Sequence, residues 1–290
     1  MKELLFIVNP AAGNGTALGA IPLIEQFCRQ CRLKYEIIKT QYKGHATALA
    51  KSAISLSYDA VVAVGGDGTV MEVANGLVGS LTPLGILPTG TGNDLSKSLN
   101  IPPKIDKALS IIAYGEPKYI DAVSYGNGYF FNVASVGFDA EIARDIQKIK
   151  SWISGKTAYY VSALLKFITY RHKDVVIEID NTKISAKILL FAIANGTYYG
   201  GGMNVNPNGS IDDGYIDAIL ITPVPRFKFP FLFWKFVSGK YLDLPYVKAY
   251  RCKKVKIHSD ESLPVNGDGD IIATTPVQFS VSDHSILVFC

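Results

Sequence analysis

Gly65-Gly66-Asp67-Gly68-Thr69 follows directly on the apolar run Ala60–Val64. Glycines let backbone N–H groups approach an anion with no Cβ in the way, and they permit positive φ where a turn needs it. Asp67 is the one carboxylate in this electropositive nest, and beside bound phosphate its oxygens suit Mg²⁺ or a ligand hydroxyl. Thr69 and Glu72 stand at the S/T-x-x-E spacing of a capping box, which predicts a helix whose N-terminus faces the loop. Two other segments share this texture: Asn9-Pro10-Ala11-Ala12-Gly13-Asn14-Gly15-Thr16, and Pro88-Thr89-Gly90-Thr91-Gly92-Asn93-Asp94. Neither a Walker A loop nor a G-x-G-x-x-G fingerprint is present. The chemistry these residues suit is phosphate binding with a divalent cation.

The elements around the loops alternate. Leu4–Val8, Tyr35–Thr40, Ala60–Val64 and Leu84–Leu87 have strand character; Ala17–Arg32, Ala46–Leu56 and Val70–Val78 have helical period. A βαβα order implies a parallel sheet covered on both faces, with its ligand crevice beyond the carboxyl ends of the strands. All three loops fall at such ends. Beyond about Tyr119 short alternating strands take over: Tyr129–Ala134, Val175–Ile179, Ala186–Ala194, Tyr215–Ile221, Lys254–His258 and Val277–Val281. That pattern suits an antiparallel sandwich, interrupted by a helix over Lys156–Tyr170. The division predicted is 1–122 and 123–275, with the segment after about 275 returning to the first domain.

At 290 residues, 48% hydrophobic and 19% charged, the chain suits two globular domains. No apolar stretch approaches the roughly 18–20 residues of a membrane-spanning helix. The N-terminus has strand character and lacks a signal-peptide cleavage site, so a cytoplasmic location is expected. Cys28, Cys31, Cys252 and Cys290 make no disulfide framework, and Leu23, Ile24, Phe27 and Cys31 repeat with helical period, as on a helix face.

Taken together, Asn9-Pro10 with its glycine loop, Gly44-His45-Ala46, Gly65–Thr69 and Pro88–Asp94 resemble the catalytic domain of the diacylglycerol kinase family, which includes soluble bacterial lipid kinases and has sphingosine and ceramide kinases as relatives. Gly137-Phe138-Asp139-Ala140-Glu141, Gly200-Gly201-Gly202-Met203, Asp212-Asp213-Gly214-Tyr215-Ile216-Asp217 and Asp268-Gly269-Asp270 extend the resemblance over nearly the whole chain. It implies a phosphofructokinase-like parallel α/β domain, then an antiparallel β-sandwich domain, with a cleft between them. It also implies ATP- and Mg²⁺-dependent transfer of the γ-phosphoryl group to a lipid hydroxyl, diacylglycerol first among acceptors. In such transfer, positioning and charge neutralisation do most of the catalysis.

The resemblance gives the residues roles. Asn9, Gly13, Gly15 and Thr16 shape the first nucleotide loop; Thr16 stands where relatives often carry a basic residue. Gly65, Gly66, Asp67, Gly68, Thr69 and Glu72 hold phosphates, with Asp67 on the nucleotide's Mg²⁺. Thr40, His45, Thr91 and Asn93 contact the nucleotide, although His45 serves equally as a helix start, and Asp94 as a cap for the helix after it. Asp268 matches the general base of soluble bacterial members, and Glu141 aligns with the acid given that role in sphingosine kinases. Asp270, a nucleotide contact, is one methylene shorter than the family's Glu. Asp213 and the Tyr215 carbonyl form a candidate structural Mg²⁺ site, where Ser210 replaces a helpful carboxylate.

From Arg226 to Lys256 nine basic residues face one acid, Asp243, interleaved with Phe227, Phe229, Phe231, Phe233, Trp234, Phe236 and Tyr241. Basic residues among aromatics suit transient contact with an anionic membrane surface, where a peripheral enzyme would draw its lipid; the same aromatics serve equally well as core. No RRM or KH signature is present, so no nucleic-acid partner is expected. A homodimer is left open. The rival readings are an NAD kinase-like phosphotransferase, whose usual Asn-Glu pair is missing here, and a non-catalytic lipid-binding protein.

Overall fold

The computed structural model describes residues 2–142, 166–167, 169–283 and 285–290. The chain divides into two compact units, Met1–Ala122 with Ser282–Cys290, and Val123–Val281. The helix expected over Lys156–Tyr170 lies largely outside the described residues.

In the first unit the strands are β1 (Glu3–Val8), β2 (Lys34–Lys39), β3 (Ala60–Gly65), β4 (Leu84–Pro88) and β5 (Pro117–Ile120). The helices are α1 (Thr16–Gly19), α2 (Ile21–Gln30), α3 (His45–Ser55), α4 (Asp67–Leu77), α5 (Asp94–Ser98) and α6 (Ile105–Tyr114). The sheet runs β2-β1-β3-β4, then the C-terminal strand Ile286–Phe289, then β5. The C-terminal strand is parallel to β4 and antiparallel to β5. Every residue of β3 and β4 is buried, as their uninterrupted apolar runs require in a sheet covered on both faces. β2 at the edge mixes exposed and half-buried positions. Register then fixes the site: Val8 pairs with Val64, and Gly65 with Pro88. The carboxyl ends of β1, β3 and β4 are therefore level, and the loops that follow them lie side by side. The single helix expected over Ala17–Arg32 is instead divided into α1 and α2, preceded by a 3-10 turn over Ala12–Gly15, with Pro22 in the first turn of α2, where its missing N–H is harmless.

Among its described residues the second unit holds two six-stranded antiparallel sheets and a two-stranded one, Tyr198–Tyr199 with Met203–Asn204. The first is ordered Thr182–Ile188, Lys173–Ile179, Lys254–His258, Val277–Val281, Val123–Ser124, Tyr129–Phe130. The second is ordered Val247–Cys252, Ile216–Ile221, Leu190–Ala194, Val133–Gly137, Pro264–Gly267, Asp270–Thr274. Two stretches that read as single strands are each divided between the sheets. Ala186–Ala194 breaks at Leu189 and Tyr129–Ala134 breaks after Phe130, so the chain turns a corner from one sheet into the other at each point. At the first corner Ile188, Leu189 and Leu190 are all apolar and buried, so nothing in the sequence marks it; at the second, the buried Asn132 is the one polar residue at the break. The turn expected over Asn266–Asp270 is a hairpin whose two linking residues, Asp268 (φ 47°) and Gly269 (φ 95°), are both left-handed.

Candidate functional site

Asn9, the first residue after β1, ties the first loop to the second. Its Nδ2 donates to Thr69 Oγ1 at 3.0 Å, while its Oδ1 accepts from the Ala11 N–H. Gly13, Asn14 and Gly15 then take positive φ in the 3-10 turn. A Cβ on Gly13 would overlap the Thr89 carbonyl oxygen at the end of β4. Thr16 spends its hydroxyl locally, donating to the Gly13 carbonyl at 2.6 Å.

The glycines of Gly65–Thr69 serve close approach. None of Gly65, Gly66 and Gly68 has positive φ, contrary to the conformational freedom their composition suggested. A Cβ on Gly65 would strike the Thr69 side chain, and one on Gly90 would strike the Gly66 backbone. The capping box is also replaced. α4 starts at Asp67 with Gly66 as its N-cap and no side-chain cap bond. Glu72 instead accepts from the Gly44 N–H at 2.9 Å and the Ala46 N–H at 3.2 Å, capping α3. The Thr47 hydroxyl donates to the Glu72 carbonyl and strengthens this clamp.

Asp67 lies where the loops after β3 and β4 meet. Its Oδ2 accepts from the Asn93 N–H at 2.8 Å and its Oδ1 from the Asp94 N–H at 2.6 Å, so Asp67 caps α5. The cap expected from Asp94 is therefore supplied from outside the helix. A Cβ on Gly92 would run into Asp67 Oδ2 and displace it from its place against the Asn93 N–H. Asn93, left-handed at φ 53°, closes its own turn by exchanging side-chain bonds with Gly90. Burial, followed by the nearby Asp94 charge, pushes the Asp67 carboxyl above the usual carboxylate range, against the pull of the two N–H donors. Lys97 lies 3.2 Å from Asp94. Two adjacent carboxylates, each oxygen of Asp67 keeping a further lone pair, fit a hard divalent cation that would relieve their repulsion. His45 stacks on Tyr42 at 4.7 Å and accepts from the Gln41 N–H, and Thr40 donates its N–H to Val8 at the end of β2. Thr91 is exposed at the loop surface.

In the second unit Asp268 turns its carboxylate onto three consecutive backbone N–H groups, those of Phe131 (2.9 Å), Asn132 (3.2 Å) and Val133 (2.9 Å). Tyr125, which the sequence did not single out, faces this group; burial and then the Asp268 charge push its phenol up. Asp270 opens the following strand two residues later. Glu141 is ion-paired with Lys173 at 3.4 Å and Lys166 at 3.9 Å. Asp213 accepts from the Tyr215 N–H and pairs with Arg251 at 2.7 Å, while the Arg251 guanidinium lies 4.5 Å from the Tyr215 ring. A guanidinium thus neutralises Asp213. No group of three metal-ligating side chains occurs among the described residues.

The basic-aromatic block divides by face. Helix Phe229–Val237 buries Phe229 and Phe233, whereas Phe227, Phe231 and Trp234 are 74%, 80% and 61% exposed. Arg226, Lys228 and Lys235 are exposed beside them. The buried face lines a cavity together with Phe138, Leu189, Met203 and Tyr241, leaving about 610 Å³ unfilled by protein, part of it open to solvent. No helix among the described residues is long and apolar enough to cross a membrane.

A parallel α/β unit with a glycine-walled acidic site, joined to an antiparallel sandwich that contains an apolar cavity, defines the class: a two-domain phosphotransferase. Residues 3–125 match the diacylglycerol kinase catalytic domain, and residues 132–290 the YegS C-terminal NAD kinase beta sandwich-like domain. The chain belongs to the diacylglycerol kinase catalytic-domain family and is a lipid kinase. It is 28% identical to a diacylglycerol kinase of Bacillus subtilis (strain 168) over 282 residues, covering 96% of this chain and 93% of that protein. A diacylglycerol kinase of Staphylococcus carnosus (strain TM300) is also 28% identical, over 281 residues, covering 96% and 92%. The crystal structure of a diacylglycerol kinase from Bacillus anthracis str. Sterne superposes with a TM-score of 0.75 at 26% identity, covering 99% of this chain and 96% of that one.

Proposed function

We propose that this chain transfers the γ-phosphoryl group of ATP to the free hydroxyl of diacylglycerol, producing phosphatidic acid at an anionic membrane surface. The observation that carries this reading is the meeting of three loops at level strand ends around Asp67. Gly13 approaches the Thr89 backbone and Gly90 the Gly66 backbone too closely for a side chain between them, and a Cβ on Gly92 would displace Asp67 Oδ2. Backbone N–H groups and the start of α4 would bind the phosphates, and Asp67 with Asp94 would hold Mg²⁺. When bound, Mg²⁺ offsets the charge of the phosphate oxygens. Thr91 and Asn93 contact the nucleotide from the β4 loop. Asp268 takes the proton of the lipid hydroxyl, held in orientation by its three backbone donors. The apolar cavity supports a hydrocarbon-bearing acceptor over a dinucleotide, and exposed Phe227, Phe231 and Trp234 with their basic neighbours support recruitment to the bilayer.

The test is phosphoryl transfer from radiolabelled ATP across diacylglycerol, other glycerolipids, sphingoid bases and NAD, repeated with Asp67→Asn and Asp268→Asn. Label in diacylglycerol, lost in both variants, is the expected result. Label confined to NAD would establish the NAD kinase-like reading. Full activity in both variants would overturn the site.

A further inference from the structure

One polar group in the cavity wall has no assigned task. Asp139, 4% exposed, lines the cavity among side chains that are otherwise almost entirely hydrocarbon. Its Oδ2 accepts from the Ser135 hydroxyl and, at 3.4 Å, from Asn266 Nδ2. Its Oδ1 is fully buried and has no hydrogen-bond partner among the described residues. A buried polar atom left unmatched is destabilising, and native proteins keep few of them. Burial pushes the Asp139 carboxyl above the usual carboxylate range, favouring the neutral acid. Both side-chain donors, Ser135 and Asn266, sit on Oδ2, and the nearby Ala140 and Asp139 N–H groups offset only part of the effect of burial, so the neutral acid carries its O–H at Oδ1. The complement is a hydrogen-bond acceptor carried on an apolar chain.

We propose that the cavity takes an acyl ester of a glycerolipid, its hydrocarbon against the aromatic wall and its carbonyl oxygen accepting a hydrogen bond from Asp139. The assignment rests on the lipid-kinase reading and adds the feature by which the acceptor is told from other alcohols. Asn266, which holds Oδ2, lies two residues before Asp268. In a diacylglycerol the sn-2 ester is bonded to the carbon next to the one bearing the free hydroxyl. The same short segment of chain therefore steadies the group that reads the ester and carries the group that receives the hydroxyl proton. Asp139 is a specificity residue in this scheme and takes no proton from substrate.

The experiment compares 1,2-dioctanoylglycerol with its diether analogue, which lacks both carbonyls, in wild type, Asp139→Asn and Asp139→Leu. Equilibrium binding without ATP is measured beside phosphorylation. Wild type should prefer the ester by about tenfold, Asp139→Leu should lose that preference while binding the ether within about threefold of wild type, and Asp139→Asn, which retains an N–H donor, should keep it. Equal binding of ester and ether by wild type would overturn the proposal, as would equal weakening of both lipids in Asp139→Leu. Loss of ester preference in Asp139→Asn would also overturn it, because the role would then need a carboxylate, as a cationic sphingoid base would. Ester-selective binding with no phosphorylation leaves this assignment standing and removes the kinase reading. Phosphorylation of diacylglycerol without the binding pattern does the reverse.

Discussion

Asp67 does two things that pull in opposite directions. Its oxygens hold the Asn93 and Asp94 N–H groups, which fixes the β4 loop, while burial and Asp94 make its negative charge costly. Asp67→Asn keeps the shape but turns an Nδ2 donor toward one of those N–H groups. Transfer should fall on the order of 100-fold, with the Mg²⁺ requirement shifted upward, as measured by initial rate against Mg²⁺ concentration. Unchanged Mg²⁺ dependence would remove Asp67 from the cation site. Asp139 gives a cleaner pH signature. Its folded-state value is raised, so between the unfolded and folded values the native chain keeps a proton that the unfolded chain releases. Stability therefore falls as pH rises through that window. Asp139→Asn has no such proton, so its melting temperature should match wild type in the ordinary carboxylate range and exceed it increasingly as pH rises above that range, by about 2–4 °C per kcal/mol. Parallel curves for the two proteins would refute the buried-acid assignment.

At the scale of elements, the glycines separate into those the fold requires and one it does not. Gly65, Gly90 and Gly92 each abut backbone or side-chain atoms, but Gly68 is exposed, sits in the first turn of α4 at negative φ, and a methyl there would meet nothing within 4 Å. Glycine in a helix is less favourable than alanine by about 1 kcal/mol, so Gly68→Ala should leave the melting temperature equal or slightly higher. It should nevertheless raise KM for ATP several-fold, because the space a methyl would take is the phosphates' approach to the helix start. Gly90→Ala should instead lower stability by about 1–3 kcal/mol by driving two loops apart. Thermal melts and ATP kinetics on both variants decide this; a destabilised Gly68→Ala would mean that the glycine serves the fold. The loops were legible in the sequence because strand, glycine and acid are contiguous there. The reasons for the glycines were not, since they depend on Thr89, Gly90 and Asp67 arriving from elsewhere in the chain. Glu72 shows the same limit. Its spacing to Thr69 suggested a local cap, but a carboxylate reaches whichever unsatisfied N–H groups packing brings close, and these belong to α3. Leu189 is a third case, since Ile188, Leu189 and Leu190 are all apolar and buried, with no polar residue at the corner itself.

For the molecule as a whole, charge and exposed aromatic surface are concentrated in one stretch. Arg226–Lys256 carries an excess of eight positive charges, twice the chain's +4, so the remainder is net acidic. The sequence left the aromatics of this stretch divided between core and surface, and burial sorts them by helical face: Phe229 and Phe233 go inward, Phe231 and Trp234 outward, with Phe227 just before the helix. An exposed pair at i and i+3, flanked by exposed Arg226, Lys228 and Lys235, is a shape that a headgroup layer accommodates, with rings among the acyl boundary and cations at the phosphates. Two forces then contribute, and they separate experimentally. Each basic side chain near an anionic surface adds about 1 kcal/mol and is screened by salt, whereas apolar insertion is not screened. Phe231→Ala with Trp234→Ala should lower association with phosphatidylglycerol-containing vesicles at least tenfold, taking roughly 1 kcal/mol for each partly inserted ring, and the loss should persist at high salt. Lys228→Glu with Lys235→Glu should lower it only at low salt. Both double variants should phosphorylate a short-chain diacylglycerol in detergent micelles at the wild-type rate, because the inward face that lines the cavity is untouched. Vesicle sedimentation alongside the micelle assay reads both quantities. Wild-type vesicle binding by the aromatic variant would place the membrane contact elsewhere, and a matching loss in micelles would mean that the outward rings hold the fold rather than the bilayer.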